Sequence, residues 1–298
     1  MKKPVILDTD IGIDIDDTWA LAMLLNSPEL DLRLVSVATG DAAYRARLAA
    51  KFLDRAGRAD VPVAVGLYSN YGPETRHQLA WVADYPLDAY PGKVSHDAVA
   101  ELIATLETLD DPTIIAIGPL LNLEQLCLRR PDLAAKTHLI AMAGSIAKQL
   151  NDKPGQIAEW NILMDIPAAR SVFSAPWQSV TITPLDTCGS VVLDGDRYRR
   201  VRQATGTIPR LVIENYRIWC DSTRYGQNPD LASSILFDTV AVHLACSHDF
   251  LDVRTLSLEV DEQGFMRQDT PKARPVHVAL NWTDKDAYRD HLVARLLA

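Results

Sequence analysis

Paired cysteines, apolar runs of membrane-spanning length and clusters of basic residues are all missing from this chain. Its four cysteines in 298 residues, Cys127, Cys188, Cys220 and Cys246, stand far apart, without the close spacings of a zinc site or a disulfide framework. Buried thiols are therefore expected. No apolar stretch is long enough for a spanning helix, so no membrane partner is expected. Lysine and arginine come at most in short pairs such as Arg129-Arg130 and Arg199-Arg200, and the net charge is −9, which argues against nucleic acid as a partner. Lys2 and Lys3 precede an apolar run, but Asp8 ends that run after Val5-Ile6-Leu7, too soon for a secretion signal. A cytoplasmic location is expected. Repeats, low-complexity tracts and long linkers are absent as well, so residues 1–298 read as one domain with inserted loops.

What the chain does have is alternation. Strand-like segments at Val5–Leu7, Leu32–Ala38, Pro62–Val65 and Thr113–Ile117 are separated by helix-like ones around Thr18–Asn26, Ala43–Ala56 and His96–Thr108, with another helix at Leu121–Leu128. Further strands are expected at Thr137–Ala143 and Ser179–Thr183, with a helix over Pro167–Phe173 between them. This βα repetition predicts an open, mostly parallel α/β sheet with helices on both faces, a Rossmann-like architecture. Later, Tyr198–Ile218 and Ser234–Ala245 read as helices. Phe250–Val260 and Val276–Leu280 read as an antiparallel pair before a closing helix. Tyr68–Lys93, rich in Tyr, Pro and Trp, reads as a long loop over the sheet edge, a candidate lid.

The chemistry concentrates directly after the first strand. Asp8, Asp10, Asp14, Asp16 and Asp17 fall within ten positions, where strand hands over to helix, and in an open α/β sheet that turn is where ligands bind. Carboxylates crowded this closely repel one another unless a hard, oxygen-loving divalent cation neutralises them. Helix capping with solvated acids is the plain alternative, and it accounts for one or two of the five, not for all of them around Gly12.

Three other segments offer groups to the same site. The strand ending at Ile117 runs into Gly118-Pro119-Leu120-Leu121-Asn122, a turn whose carbonyls can ligate a hard cation, although the Gly-Pro pair equally serves plain chain reversal. In Gln156–Ile162, Glu159 and Asn161 point to one side of an extended segment and Trp160 to the other; a carboxylate, an amide and an aromatic together suit a sugar. Asp238 sits among apolar residues in SSILFDTVAVHLA, either as a helix N-cap or as a buried acid that needs a partner. His138, His243 and His277 read as structural.

In order along the chain, Asp8-Thr9-Asp10-Ile11-Gly12-Ile13-Asp14-Ile15-Asp16-Asp17, SVATGD, VPVAVG, AIGPLLNL, AEWNILMDIPAA, ITPLD and LFDTVAV resemble the inosine-uridine-preferring nucleoside hydrolase family over nearly the whole chain. The resemblance implies calcium-dependent hydrolysis of the N-glycosidic bond of a ribonucleoside or related riboside. It implies a calcium ion held by Asp10, Asp17, the carbonyl of Ile117 and Asp238, with Asp10 as the base that takes a proton from water. Asp16, Asn161 and Asp41 are then expected to face the ribose and Glu159 its 5′ end, with Asp8 and Asp14 supporting the other acids from behind. A homodimer or homotetramer is implied too.

The base half of the pattern departs from the family. Many members place a His directly before the distant metal-binding Asp, where it protonates the leaving base, and here that position is Phe237. His77 or Tyr225 are the candidate replacements, and Trp219, Tyr216 and Tyr225 are candidates for stacking on a base. Asn151 and Lys153 compete for one polar position in the loop before Glu159. Two rival readings stand beside this one. A calcium-dependent ribose or nucleoside binder that has lost hydrolysis is motivated by Phe237. A haloacid dehalogenase-like phosphohydrolase would make Asp8 a nucleophile, but it leaves Gly12 and Asp16-Asp17 unexplained.

Overall fold

The computed structural model describes residues 2–68, 76–223 and 225–298. Its ten strands form one sheet. They are β1 Lys3–Thr9, β2 Leu30–Val37, β3 Val63–Val65, β4 Val94–Ser95, β5 Thr113–Ala116, β6 His138–Met142, β7 Ser179–Thr183, β8 Leu251–Val260, β9 Met266–Gln268 and β10 Arg274–Trp282. The spatial order is β4-β3-β2-β1-β5-β6-β7-β10-β8-β9. All neighbours from β4 through to β10 pair in parallel, whereas β8 is antiparallel to both β10 and β9. The expected parallel sheet with a C-terminal antiparallel extension is thus present.

The central strands are buried on both faces, which is why they read as continuous apolar runs rather than alternating ones. Along β1, Val5 and Leu7 join one core and Ile6 the other. The first core takes up helices Asp16–Leu25, Ala42–Arg55, Thr207–Ser222 and Thr239–Cys246; the second takes up Ala98–Glu107, Leu121–Arg129 and Ile166–Ser174. Strand order runs outward from β1 to β4, then restarts at β5 on the other side of β1. The crevice between the carboxyl ends of β1 and β5 is therefore the topological switch point, where such sheets bind ligands.

Several boundaries differ from expectation. The helix expected over Tyr198–Ile218 is two, Gly195–Arg202 and Thr207–Ser222, broken at Ala204-Thr205-Gly206. The apolar helix expected from Ser234 begins only at Thr239. Short elements beyond the expected ones include the helices Pro131–Ala135 and Leu185–Cys188 and the strands β4 and β9. In the stretch expected as a lid, residues 69–75 lie outside the described residues. Beyond them Trp81, Val82, Tyr85 and Tyr90 are buried, and Lys51 and Arg47 reach across from Ala42–Arg55 to the carbonyls of Trp81 and Tyr85 at 2.5 and 2.9 Å. That part is anchored to the domain. Among the described residues no helix is long and apolar enough to cross a membrane.

Candidate active site

A cavity of about 310 Å³ opens at the switch point. Asp10 and Asp14 line it from the turn after β1, Asp16 and Asp17 from the start of the helix that follows, Ile117 from the end of β5, Met142 from the end of β6, and Glu159, Asn161 and Asp238 from the starts of two further helices. The turn from β1 into the helix that begins at Asp16 is held by a dense set of bonds. The Thr9 hydroxyl donates to Asp17 Oδ1 and accepts the Ile11 N–H at 3.1 Å. Buried Arg45 donates from Nη1 to the carbonyls of Asp10 and Ile11, the latter at 3.0 Å, and from Nε to the Thr39 carbonyl at 2.8 Å. Trp219 Nε1 donates to the Ile13 carbonyl at 2.8 Å. Gly12 has φ +112°, and a Cβ there would lie 2.6 Å from Leu48 Cδ1 and 2.7 Å from Tyr44 Cε1, so both its backbone and its surroundings require glycine.

Asp16 and Asp17 occupy the first turn of helix Asp16–Leu25. Opposite them, Asp238 is the N-cap residue of Thr239–Cys246, but its side chain makes no capping bond. Its N–H instead donates to Asp16 Oδ2 at 3.3 Å. One oxygen from each of Asp16, Asp17 and Asp238 lies within 4.8 Å of the others, and each residue is 3 % exposed. Burial pushes the Asp16 carboxyl up to about 7 and those of Asp17 and Asp238 well above the usual range. Asp10 is pushed by burial to about 6, with the charge of Arg45 opposing the rise. Carboxylates packed this closely without a cation cannot all ionise. An oxygen-only donor set of this kind fits a hard divalent ion.

Behind the cavity, Asp8 is fully buried, and its Oδ2 accepts from Ser36 Oγ at 2.5 Å and Asn122 Nδ2 at 2.9 Å. Burial raises it to about 6 against those two bonds. It does not line the cavity, which rules out the nucleophile role that a haloacid dehalogenase would give it. Glu159 caps the short helix Trp160–Leu163, accepting from the N–H groups of Asn161 at 2.7 Å, Gly144 at 3.1 Å and Ile162 at 3.4 Å. Burial nevertheless carries it up to about 7. Asn161 Nδ2 donates to the Met142 carbonyl at 3.1 Å, while Trp160, on the other side of the chain, is 40 % exposed and lines the mouth.

Most of the residues expected at the site therefore converge, with three changes. Asp16, expected to face the ribose, lies in one cluster with Asp17 and Asp238. Asp14, expected behind the other acids, lies exposed on the cavity rim. Asp41 is not on the cavity wall: it caps Ala42–Arg55 through the Tyr44 N–H at 3.0 Å and pairs with Arg76 Nη2 at 2.8 Å. His77 contacts Ser222 Oγ at 3.1 Å and sits edge-on to Trp219 and Tyr225, away from the cavity lining; Tyr216 stacks on Trp219 inside the core. Two supporting residues went unread in the sequence, Arg45 and Asn122. Arg45 shares an i, i+3, i+4, i+7 stripe with Leu48, Ala49 and Phe52, and a charge on the apolar face of a helix was the available signal.

Fold and site together define an α/β enzyme whose carboxylate-lined cavity sits at the switch point of a parallel sheet. The sequence pattern of the family described as inosine-uridine preferring nucleoside hydrolase matches residues 5–290, and the chain belongs to that family of N-glycosidases. It is 28 % identical over 230 residues to a non-specific ribonucleoside hydrolase RihC of Klebsiella pneumoniae, covering 73 % of each chain. Over 245 residues it is 28 % identical to a pyrimidine-specific ribonucleoside hydrolase RihA of Photobacterium profundum, covering 76 % of this chain and 75 % of that one. Among solved structures, a purine-preferring ribonucleoside hydrolase from Gardnerella vaginalis superposes with a TM-score of 0.81 at 22 % identity, over 99 % of this chain and 98 % of that one. The nucleoside hydrolase of Bacillus anthracis gives 0.79 at 23 % identity, over 100 % and 99 %. At that identity these two similarities speak for the fold.

Proposed function

We propose that this protein hydrolyses the N-glycosidic bond of a ribonucleoside or related riboside, giving ribose and the free base, with calcium held by Asp10, Asp17, the Ile117 carbonyl and Asp238. The observation that carries this reading is the convergence of buried carboxylates from two opposed helix starts on one cavity, with no Lys, Arg or His among its described lining residues to balance them. Asp16 belongs to the same cluster.

Calcium at this place would neutralise the clustered charge, anchor vicinal hydroxyls and acidify a water molecule. The protein's own groups do the rest. Asp10, held from below by Arg45, accepts the proton of the attacking water. The carboxylates around C1′ stabilise the oxocarbenium-like centre that forms as the C–N bond breaks. Asp16 and Asn161 hydrogen-bond the ribose hydroxyls, and Glu159 closes the 5′ side. With no basic side chain on the described cavity wall, a 5′-phosphate has nothing to pair with, so the free riboside is preferred over the nucleotide.

The test is release of reducing sugar from a panel of purine and pyrimidine nucleosides, with calcium and again after chelation. Chelator-sensitive release supports the reading. Asp10→Asn should lower kcat by about 10³-fold or more while the protein stays folded, since it removes the base but keeps the shape. An Asp10→Asn protein with full activity would sink the mechanism.

A further inference from the structure

We infer that the substrates this cavity cleaves best are ribosides whose ring nitrogen at the glycosidic bond, or elsewhere in the same ring system, already carries a positive charge, as in a pyridinium or an N7-alkylated purine riboside. This rests on the N-glycosidase reading above and narrows its leaving group. A neutral base leaves as an anion unless an acid protonates it, and none of the chain's seven histidines, all of them among the described residues, lines the cavity. His77 is turned toward Ser222 and the Trp219–Tyr225 rings. Glu159 has both carboxylate oxygens engaged by three backbone N–H donors.

Apart from Asn161, what the described wall beyond the acids offers is apolar: Ile13, Leu150, Ile157, Leu163 and the rings of Trp160 and Phe237, the last directly preceding Asp238. Among the described residues such a wall gives a departing base no proton, but it suits a flat cation. Aromatic faces attract a positively charged ring, and a cavity lined by six carboxylates and no described basic residue favours positive charge throughout. The step balances without an acid. As the C1′–N bond breaks, its electron pair returns to the cationic ring, which leaves neutral. The water oxygen bonds C1′, and its proton passes to Asp10 and then to solvent.

The experiment compares kcat/KM for matched pairs, N7-methylinosine against inosine and nicotinamide riboside against uridine, on the full chain with calcium present. General-acid help is typically worth ~10²–10⁴-fold, so the cationic member of each pair should be faster by about 100-fold or more in the natural protein. Phe237→His, which places an acid beside Asp238, should shrink that ratio at least tenfold by accelerating the neutral member. Neutral nucleosides cleaved within tenfold of their cationic partners by the natural protein would overturn this inference and leave the hydrolase reading standing. Cleavage of neither member would overturn both. Because the ratio in the unmodified protein is decisive by itself, the test does not depend on the variant folding.

Discussion

Replacing Arg45 probes how the site is held without touching the cavity. The side chain is 3 % exposed and donates to three backbone carbonyls, those of Asp10, Ile11 and Thr39. Thr39 adopts φ +70°, a left-handed conformation that costs a threonine roughly 1–2 kcal/mol and persists only because its neighbours fix it. Arg45→Met keeps an unbranched aliphatic stem on the same helix face but leaves three buried carbonyls without a donor. Each orphaned carbonyl costs about 1–3 kcal/mol, and burying the guanidinium no longer has to be offset. The expected net loss is about 3–5 kcal/mol, a large part of the ~5–15 kcal/mol that a domain possesses. Arg45→Lys retains the charge but cannot form the fork that reaches three acceptors, so about half that loss is expected. Urea unfolding followed by the fluorescence of buried Trp19 and Trp219 reads the change. A midpoint shift equivalent to less than about 1 kcal/mol for Arg45→Met would refute the claim that this residue clamps the turn.

Two further outcomes follow from the same geometry. The carboxyls of Asp8, Asp10, Asp16 and Glu159 are raised by burial to about 6, 6, 7 and 7 from ordinary values near 4, so the folded state without metal holds protons that the unfolded chain has released. Their stabilising contribution is complete below about pH 4 and is lost as pH rises through 6–7. Chelated protein should therefore melt at a lower temperature at pH 8 than at pH 5.5, and added calcium should restore most of the difference; a Tm that rises over this window without metal contradicts the cluster. Surface acids such as Asp60, Asp132 and Asp290 are lowered by arginine partners and pull the opposite way, but only at more acidic pH. Gly118→Ala would place a Cβ 2.7 Å from Asp10 N and 2.9 Å from Asp10 Oδ1, so Asp10 must move. A displaced base costs about 100-fold in kcat, and the expected result is that loss with a Tm change of only a few degrees.

How much of this could be read from the chain depends on how locally each feature is encoded. The strand, acidic turn and helix at residues 3–25 are contiguous, and their order alone placed the acids at a strand's carboxyl end. Asp238 was recognisable because an acid flanked by Leu236, Phe237, Thr239 and Val240 must be buried or capping, yet nothing in that segment says that its carboxylate declines the cap and turns toward a helix more than 220 residues earlier. Asp41 misled for the opposite reason. Following Gly40 at a strand end looks like a ligand position, but an acid preceding Ala-Ala-Tyr-Arg is also an N-cap, and local capping with the Arg76 pair took it. The break at Ala204-Thr205-Gly206 was legible in the glycine and was overridden by the apolar periodicity on either side.

The division between what is fixed in shape and what is open in chemistry follows the same line. The acids come from turns whose backbone is fixed on every side: Thr9 and Arg45 beneath, Gly12 and Gly118 where a side chain would collide, Trp219 bonded to the Ile13 carbonyl. Those constraints leave the carboxylate half of the cavity little freedom to vary. The opposite wall is assembled from single apolar side chains on Leu150–Leu163 and from Phe237, none of which holds the backbone by a side-chain bond, so substitution there is tolerated at the cost of ordinary apolar contacts. On the proposed reading, specificity for the leaving base can change at that wall without disturbing the carboxylate cluster, and Phe237, directly before Asp238, is the position where substitution tests it.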